Sequence, residues 1–181
     1  MELQGNGFTL RGWKLSDAAS LQRNADNINI SRFLLDRFPS PYTMEAAEGW
    51  VQLWQGQDPM INFAITIDDE VVGGVGLELR ADVYRKTPLI GYWLAESHWG
   101  KGIMPEAVKL VCDYAFAQLD AICILAYVLS QNTSSMRVLE KAGFSKIGVI
   151  PRSVIKGGVV MDEHVYCLNA VSVNNKPISV R

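Results

Sequence analysis

The segment from Gly91 to Ile103 constrains the fold of this chain more than any other part of its sequence. It reads Gly-Tyr-Trp-Leu-Ala-Glu-Ser-His-Trp-Gly-Lys-Gly-Ile, and a long helical pattern begins directly after it. A strand–turn–helix order aims the unpaired N–H groups of the first helical turn at one point, where the helix dipole adds partial positive charge. Such a point binds phosphate, and Gly100 and Gly102 carry no side chain that would hold a phosphate away.

Known phosphate-binding motifs narrow the interpretation of this turn. A P-loop needs Ser or Thr after its Gly-Lys pair, whereas Lys101 is followed by Gly102. A dinucleotide-binding turn needs a third glycine, and that position is Pro105. A Gly-x-Gly turn for coenzyme A remains open, as do another nucleotide and a strand-to-helix turn that binds nothing.

A second segment, from Asn132 to Phe144, begins another helix. Asn132 or Thr133 can cap its start, and Gly143 suits its end. A capped amphipathic helix explains most of these residues on structural grounds alone. It does not explain why this helix accompanies the glycine turn.

Together, the two segments resemble the motifs of the GNAT acetyltransferases. The matching stretches are Trp99-Gly100-Lys101-Gly102-Ile103 and Asn132-x-x-Ser135-x-Arg137-x-Leu139-Glu140-Lys141-x-Gly143-Phe144. The likeness extends from about Phe8 to Leu168. More narrowly, the chain is similar to the RimJ/RimL type, which acetylates the N-termini of ribosomal proteins. The resemblance implies a GNAT fold, whose central strands splay into a V that holds acetyl-CoA.

Hydrophobic periodicity independently predicts the order β-α-α-β-β-β-α-β-α-β-β. This order belongs to the α/β (α+β) class, with a mixed, mostly antiparallel sheet and helices on both faces. Strands are predicted at 8–13, 62–67, 71–79, 87–94, 121–129, 145–150 and 159–168. Thr43 begins a helix whose apolar stripe carries Trp50 and Trp54, which either join the core or line an acceptor cleft. Glycines inside the third strand indicate a bulge or close packing: Gly73, Gly74 and Gly76.

Composition restricts the protein to an ordinary globular class. We expect the 181 residues to form a single domain, with its core at about 8–168 and a flexible tail at 169–181. A net charge of −2 gives no basic surface for nucleic acid. Apolar runs are all shorter than the ~18 residues of a membrane span, and the N-terminus lacks the regions of a signal peptide. The cytoplasm is the expected location.

Cysteine and histidine usage predicts neither a disulfide framework nor a metal site. Cys112, Cys123 and Cys167 match no zinc spacing, and their odd number leaves no closed disulfide set. We therefore expect buried, reduced thiols. His98 and His164 lie far apart in the sequence without partner ligands. The oligomeric state is not readable, and a homodimer is the commonest choice among oligomers.

The family resemblance also implies a role for each motif residue. Backbone amides would hold the pyrophosphate of acetyl-CoA at Trp99, Gly100, Lys101, Gly102 and Ile103. Leu94 would pair its backbone with the pantetheine arm, as an added strand pairs with a sheet edge. Asn132 would hydrogen-bond further along that arm, and Ser135 would donate a proton to the leaving thiolate. Arg137 would either reach the 3′-phosphate or form a surface ion pair.

The general base is not fixed by the motifs. Many relatives carry an acidic residue where this chain has Leu89, and close relatives carry one near Val154. Four ionisable residues remain as candidates: Glu78, Asp162, Glu163 and Tyr92. We place Glu78 first, although a solvent-facing strand residue is the simpler explanation of it. An α-amine has a pKa of about 7.7–8.0, so a chain N-terminus needs little help and a water relay would suffice.

The acceptor and even turnover stay open at this point. The first hypothesis is an acetyl-CoA-dependent N-acetyltransferase whose acceptor is a protein N-terminus, an amino acid, a polyamine or an aminoglycoside. The second is a coenzyme A-binding or regulatory module without turnover, which the missing acidic residues favour. The third is a site for another nucleotide. Residues 24–60 are expected to form one wall of the acceptor cleft, and their acidic and basic residues are too balanced to choose an acceptor.

Overall fold

The computed structural model describes residues 1–170, so the predicted tail lies outside the described residues from 171 onward. Eight strands form one sheet in the spatial order β1-β2-β3-β4-β5-β6-β8-β7. The strands are β1 Glu2–Gly5, β2 Phe8–Arg11, β3 Asn62–Ile67, β4 Glu70–Glu78, β5 Leu89–Leu94, β6 Cys123–Leu129, β7 Ser145–Lys156 and β8 Val159–Asn169. The α-helices are α1 Ala18–Ala25, α2 Ile28–Ser31, α3 Met44–Trp54, α4 Ile103–Gln118 and α5 Thr133–Lys141.

Helices cover both faces of the sheet, as the sequence predicts. Successive residues of β3 point to opposite faces, and Phe63 and Ala64 accordingly belong to two separate hydrophobic clusters. The Phe63 cluster includes α4 and α5, whereas the Ala64 cluster includes α1 and α3. Trp50 and Trp54 pack half-buried against the second cluster, with their rings 5.5 Å apart.

Two strands differ from the prediction by more than a two-residue shift at one end. β1 was not predicted, because only Leu3 is apolar in it, yet it pairs with β2 through a two-residue turn at Asn6-Gly7. Asn-Gly is the strongest local signal for a hairpin, so this signal was present and was missed. β7 continues to Lys156 rather than ending at 150, because its pairing with β8 resumes beyond a register shift around Pro151.

The glycines of β4 allow the close packing that their positions suggest. A Cβ at Gly73 would lie 2.7 Å from the Trp93 carbonyl oxygen, and one at Gly74 would lie 2.8 Å from the Trp93 indole nitrogen. Side chains at these positions would push β5 away from β4. Glycine therefore fixes the close contact of the two strands that precede the candidate site.

The parallel pair β5–β6 is the feature of the sheet that positions the site. The other neighbouring strands are antiparallel, and β5 and β6 share a single register pair, Leu89 with Leu125. The Leu125 amide donates to the Pro88 carbonyl at 3.1 Å, so the two strands are joined near their N-terminal ends. Beyond this point the ladder stops and the strands separate toward their C-terminal ends. This wedge is the V that the resemblance implies.

The three cysteines are free thiols, but only Cys112 is buried as expected. Cys123 and Cys167 are partly exposed, and their sulfur atoms lie 3.2 Å apart on β6 and β8. Their proximity depends on the pairing of two strands far apart in sequence. The spacing of cysteines could not reveal it.

A buried ion pair anchors the first hairpin to the segment before α1. Arg11 donates from Nη1 and Nη2 to the two carboxylate oxygens of Asp17 at 2.8 and 2.9 Å. Both side chains are about 5% exposed. Asp17 also accepts from the Lys14 amide at 2.8 Å. A buried, bidentate pair of this kind leaves an uncompensated charge when one partner is lost.

Asp17→Ala is expected to lower the free energy of unfolding by about 3–5 kcal/mol, since it leaves the Arg11 guanidinium buried without its main partner. Chemical denaturation of the purified protein measures this change. Asp69→Ala is the matched control, because its carboxylate contacts the same arginine but is 69% exposed. Equal losses in the two variants would contradict the assignment.

Candidate active site

The glycine turn leaves open space in front of its backbone. Gly100 and Gly102 have φ angles of +76° and +81°, and a Cβ at either would meet no atom within 4 Å. Gly102 is the N-cap residue of α4, so the first N–H groups of this helix begin at the turn. The arrangement fits the phosphate-binding turn that the sequence predicts, because backbone donors and open space occur together.

Trp99 ties this turn back to the end of β5. Its indole N–H donates to the Leu94 carbonyl oxygen at 2.8 Å, and the side chain is otherwise 44% exposed. The Ala95 amide donates to the Val72 carbonyl of β4. Successive residues of a strand direct their N–H and C=O groups to opposite edges, so the backbone groups of Leu94 face away from β4, into the wedge. Trp99 thus occupies the carbonyl, one of the two Leu94 backbone groups that could pair with the pantetheine arm. The Leu94 amide stays a candidate for that role.

Asn132 and Ser135 lie together at the start of α5, on the opposite side of the wedge. The Asn132 side-chain oxygen accepts from the Ser135 amide at 3.1 Å, which makes Asn132 the N-cap. The capping role follows from the sequence, and it uses the amide oxygen while leaving the amide nitrogen to point elsewhere. Lys101 and Arg137 are exposed, and Arg137 forms no ion pair with any residue in the range 1–170.

A hydrogen bond between two side chains spans the wedge. The Tyr92 hydroxyl of β5 lies 2.9 Å from Ser135 Oγ and 3.3 Å from the Ser135 carbonyl oxygen, to which it can also donate. Sequence analysis named both residues, in separate roles, and did not connect them. They are 43 positions apart, and only the separation of β5 from β6 makes them neighbours.

The environment of Tyr92 keeps its hydroxyl protonated. Burial raises the pKa of Tyr92 well above its usual value, and the hydrogen bond with Ser135 opposes this effect only in part. A phenol with a raised pKa is a poor general base at neutral pH and a suitable hydrogen-bond donor. Tyr92 is therefore better suited to pass a proton to Ser135 than to remove one from an amine.

The acidic candidates lie at opposite ends of the wedge. Glu78 pairs in register with Leu89 at the closed end, is 52% exposed and accepts from Arg37 at 2.7 Å. Glu163 pairs in register with Leu129 at the open end, where its carboxylate accepts from Ser153 Oγ at 3.1 Å. Asp162 accepts from the Arg152 amide. The first choice from sequence thus occupies an ion pair, and Glu163 is the carboxylate nearer the opening.

His98 precedes the glycine turn and points a buried nitrogen at no partner among residues 1–170. Burial lowers the pKa of His98, as does nearby Lys101, while Glu70 acts in the opposite direction.

The part of the chain that the structure describes holds no group of three metal-ligating side chains. Nor does that part contain a helix long and apolar enough to span a bilayer.

Comparison with known proteins agrees with this geometry. The sequence matches the acetyltransferase (GNAT) domain over residues 8–145. A probable N-acetyltransferase of Bacillus subtilis, YjcK, is 36% identical over 173 residues, covering 92% of this chain and 96% of the relative. The chain belongs to the GNAT acetyltransferase family, and its class of activity is that of an acyltransferase.

Further similarities lie within the ribosomal-protein acetyltransferases. The ribosomal-protein-serine acetyltransferase of Escherichia coli is 32% identical over 127 residues, which cover 68% of each chain. Two solved structures share the fold. RimL, the ribosomal L7/L12 α-N-protein acetyltransferase, superposes with a TM-score of 0.81 at 20% identity, over 93% of this chain and 98% of its own. Mycobacterium smegmatis RimJ superposes with a TM-score of 0.78 at 24% identity, over 90% of this chain and 82% of its own.

Tyr92→Phe is expected to make stability less sensitive to alkaline pH. Burial raises the pKa of Tyr92 in the folded state, so as pH rises the unfolded chain loses the phenolic proton first. The contribution of Tyr92 to the free energy of unfolding therefore declines as pH rises above about 10. Denaturation midpoints measured between about pH 9 and pH 11 test this. Tyr84→Phe is the control, since Tyr84 is 57% exposed. Parallel declines in wild type and Tyr92→Phe would contradict the prediction.

Proposed function

We propose that this protein is an acetyl-CoA-dependent N-acetyltransferase that passes the acetyl group directly to a primary amine in a ternary complex. The carrying observation is the wedge, which opens between β5 and β6 and has the glycine turn at the end of one strand and Ser135 after the other. An extended ligand in the wedge would meet phosphate donors at one side and a proton donor at the other.

The residues present fit coenzyme A. Backbone amides around Gly100 and Gly102, where a Cβ would meet no atom within 4 Å, would hold the pyrophosphate, assisted by the dipole of the 16-residue helix α4. The Trp99 amide, also expected to bind there, instead donates to the Glu96 carbonyl at 3.1 Å. The Leu94 amide and the Asn132 amide nitrogen would bind the pantetheine arm. Arg137, exposed on α5 and without an ion pair within residues 1–170, would reach the 3′-phosphate.

Acetyl-CoA would supply the thioester whose acetyl group is transferred. Backbone N–H groups near Leu94 would stabilise negative charge on the carbonyl oxygen, for which one such donor can be worth about 3 kcal/mol. Ser135 Oγ would release a proton to the departing sulfur while the Tyr92 hydroxyl, 2.9 Å away, passes its own proton to Ser135. Tyr92 would then recover a proton from solvent water, so that neither residue is left as an anion. The raised pKa of Tyr92 keeps that proton in place until it is needed.

Deprotonation of the acceptor would rely on water, with Glu163 as the final carboxylate. Glu163 lies at the open end of the wedge, whereas Glu78 is engaged by Arg37 at the closed end. An α-amine is partly neutral at pH 7, so the absence of an acidic residue at Leu89 slows such an acceptor less than it would slow a lysine.

The relatives support the proposed branch and acceptor class. Similarity to a ribosomal-protein-serine acetyltransferase and to the RimJ and RimL folds favours the RimJ/RimL-like branch, and with it an α-amine of a peptide or small molecule as acceptor. The cytoplasm is the proposed compartment, in keeping with three free thiols. A homodimer stays a prediction.

Gly100→Glu is expected to abolish acetyl-CoA binding, because it places bulk and negative charge where the phosphates should bind. Isothermal titration calorimetry measures the affinity. Gly56→Glu is the matched control, since Gly56 also has a positive φ of +67° and open space but lies after α3. Unchanged affinity in Gly100→Glu would rule out the proposed phosphate site.

Ser135→Ala is expected to lower kcat by about 10² or more, the usual range for loss of a general acid, with little change in acetyl-CoA affinity. Release of free thiol measures turnover. Ser134→Ala, its exposed neighbour on α5, is the control. Equal turnover in Ser135→Ala and wild type would remove Ser135 from the mechanism.

The second candidate function is a coenzyme A-binding or regulatory module without turnover, favoured by Leu89 and Val154 at positions where relatives carry acids. Thiol release against a panel of amines separates the two functions. Acetyl-CoA binding with no release for any amine would establish the module.

A further inference from the structure

A cleft of about 470 Å³ lies between α2 with its following loop and the tip of the β7–β8 hairpin. Its lining includes Gln131, which directly precedes the α5 cap Asn132, and Met161, two residues before Glu163 on β8. Alternate strand residues share a face, so Met161 and Glu163 point to the same side of the sheet. The cleft therefore adjoins the open end of the wedge, where an acceptor amine would enter.

The charges that line this cleft are unequal. Its ionisable lining residues are Arg32, Asp36 and Lys156. Lys156 donates to Asp36 at 2.7 Å and is only 18% exposed, so these two charges satisfy each other. Arg32 forms no ion pair with residues 1–170, and its guanidinium lies 4.6 Å from the centre of the Phe33 ring. Arg32 is therefore the charged residue of the cleft lining that has no ion-pair partner among residues 1–170.

A buried hydroxyl next to Arg32 also lacks a partner. Ser31 is 4% exposed and lines the cleft, and its Oγ forms no hydrogen bond within the described part of the chain. Buried polar side chains are nearly always hydrogen-bonded, and an exception indicates a ligand or water. A hydroxyl donor and a guanidinium without an ion-pair partner, both lining one cleft, are suited to bind a carboxylate there.

The other carboxylates of this wall are engaged or directed elsewhere. Asp26 accepts from the Tyr42 amide at 2.9 Å. Glu96, outside the cleft, accepts from Asn27 and Asn29, and these bonds, with a smaller effect of Arg32, lower the pKa of Glu96. The remaining acidic residues of the segment do not line the cleft: Glu45, Glu48 and Asp58.

We infer that the acceptor is an amine that carries a carboxylate, which Arg32 and Ser31 bind while the amine reaches the open end of the wedge. This inference rests on the proposed acetyltransferase function. The carboxylate would come from a free amino acid or from an acidic side chain close to a peptide N-terminus. Polyamines and aminoglycosides carry further positive charges, which Arg32 repels.

Matched acceptors test the inference by thiol release from acetyl-CoA. One pair is methionine and methioninamide, and the other is two C-terminally amidated tetrapeptides, with Ser-Asp or Ser-Asn at the N-terminus. Spermidine is the cationic acceptor. We expect kcat/KM to favour the carboxylate of one pair by about ten-fold or more, a usual effect of one hydrogen bond to a charged group. The responding pair identifies the source of the carboxylate.

Arg32→Gln is expected to remove that preference by raising KM for the carboxylate acceptor, with the carboxamide acceptor unchanged. Arg85→Gln, at an exposed arginine of the loop before β5, is the control. Calorimetry of the preferred acceptor binding to the protein–coenzyme A complex gives a readout independent of turnover. Arg32→Gln should lower this affinity by the same factor by which it raises KM.

The outcomes separate the two proposals. Acetylation of amines without preference for a carboxylate, or preference for spermidine, would overturn the inference and leave the acetyltransferase function standing. Absence of thiol release with every acceptor would count against the proposed function itself. A preference for carboxylate that Arg32→Gln leaves intact would overturn the assignment of this cleft.

Discussion

The separation of β5 from β6 is the constraint on which the rest of the site depends. The two parallel strands are joined only where Leu89 meets Leu125. The N–H and C=O groups of a buried strand edge need hydrogen-bond partners. At an unpaired edge inside a sheet, these partners are either water or an extended ligand. The strand that forms one side continues into the glycine turn, and the other continues into the cap of α5. The opening therefore determines which motifs become neighbours.

Such an opening weakens the sheet, and the structure compensates on either side of it. Glycines in β4 allow β5 to lie close to its antiparallel partner, because a Cβ at Gly73 or Gly74 would collide with Trp93. On the other side, β6 pairs along its whole length with β8. The Tyr92–Ser135 hydrogen bond then links the two halves across the gap. A residue pair proposed for proton transfer thus also spans the least connected part of the sheet.

Local signals allowed much of this architecture to be predicted. The glycine turn, the Asn132 cap and the alternation of apolar residues each depend on a few consecutive residues, so the central strands, the helices that flank them and the position of the glycine turn follow from sequence. Features that depend on pairing between strands did not follow. β1 has few apolar residues of its own and is stabilised by its hairpin partner, and β7 continues past Pro151 because β8 holds it. The Tyr92–Ser135 contact and the ion pair of Glu78 likewise require the order of strands in space.

The same distinction applies to the acceptor. Counted along the sequence, the charges of residues 24–60 nearly cancel. The fold pairs some of them and directs others away, which leaves Arg32 without an ion-pair partner in the cleft among the described residues. This charge bears on the missing acidic residue at Leu89. A cation near the acceptor favours the neutral amine, since like charges disfavour protonation, and it offsets the opposite effect of the acceptor's own carboxylate. If the acceptor is an α-amine, as proposed, the Arg32 charge and a carboxylate at the open end of the wedge would be sufficient together, because the amine needs only a modest shift of its pKa to be neutral near pH 7.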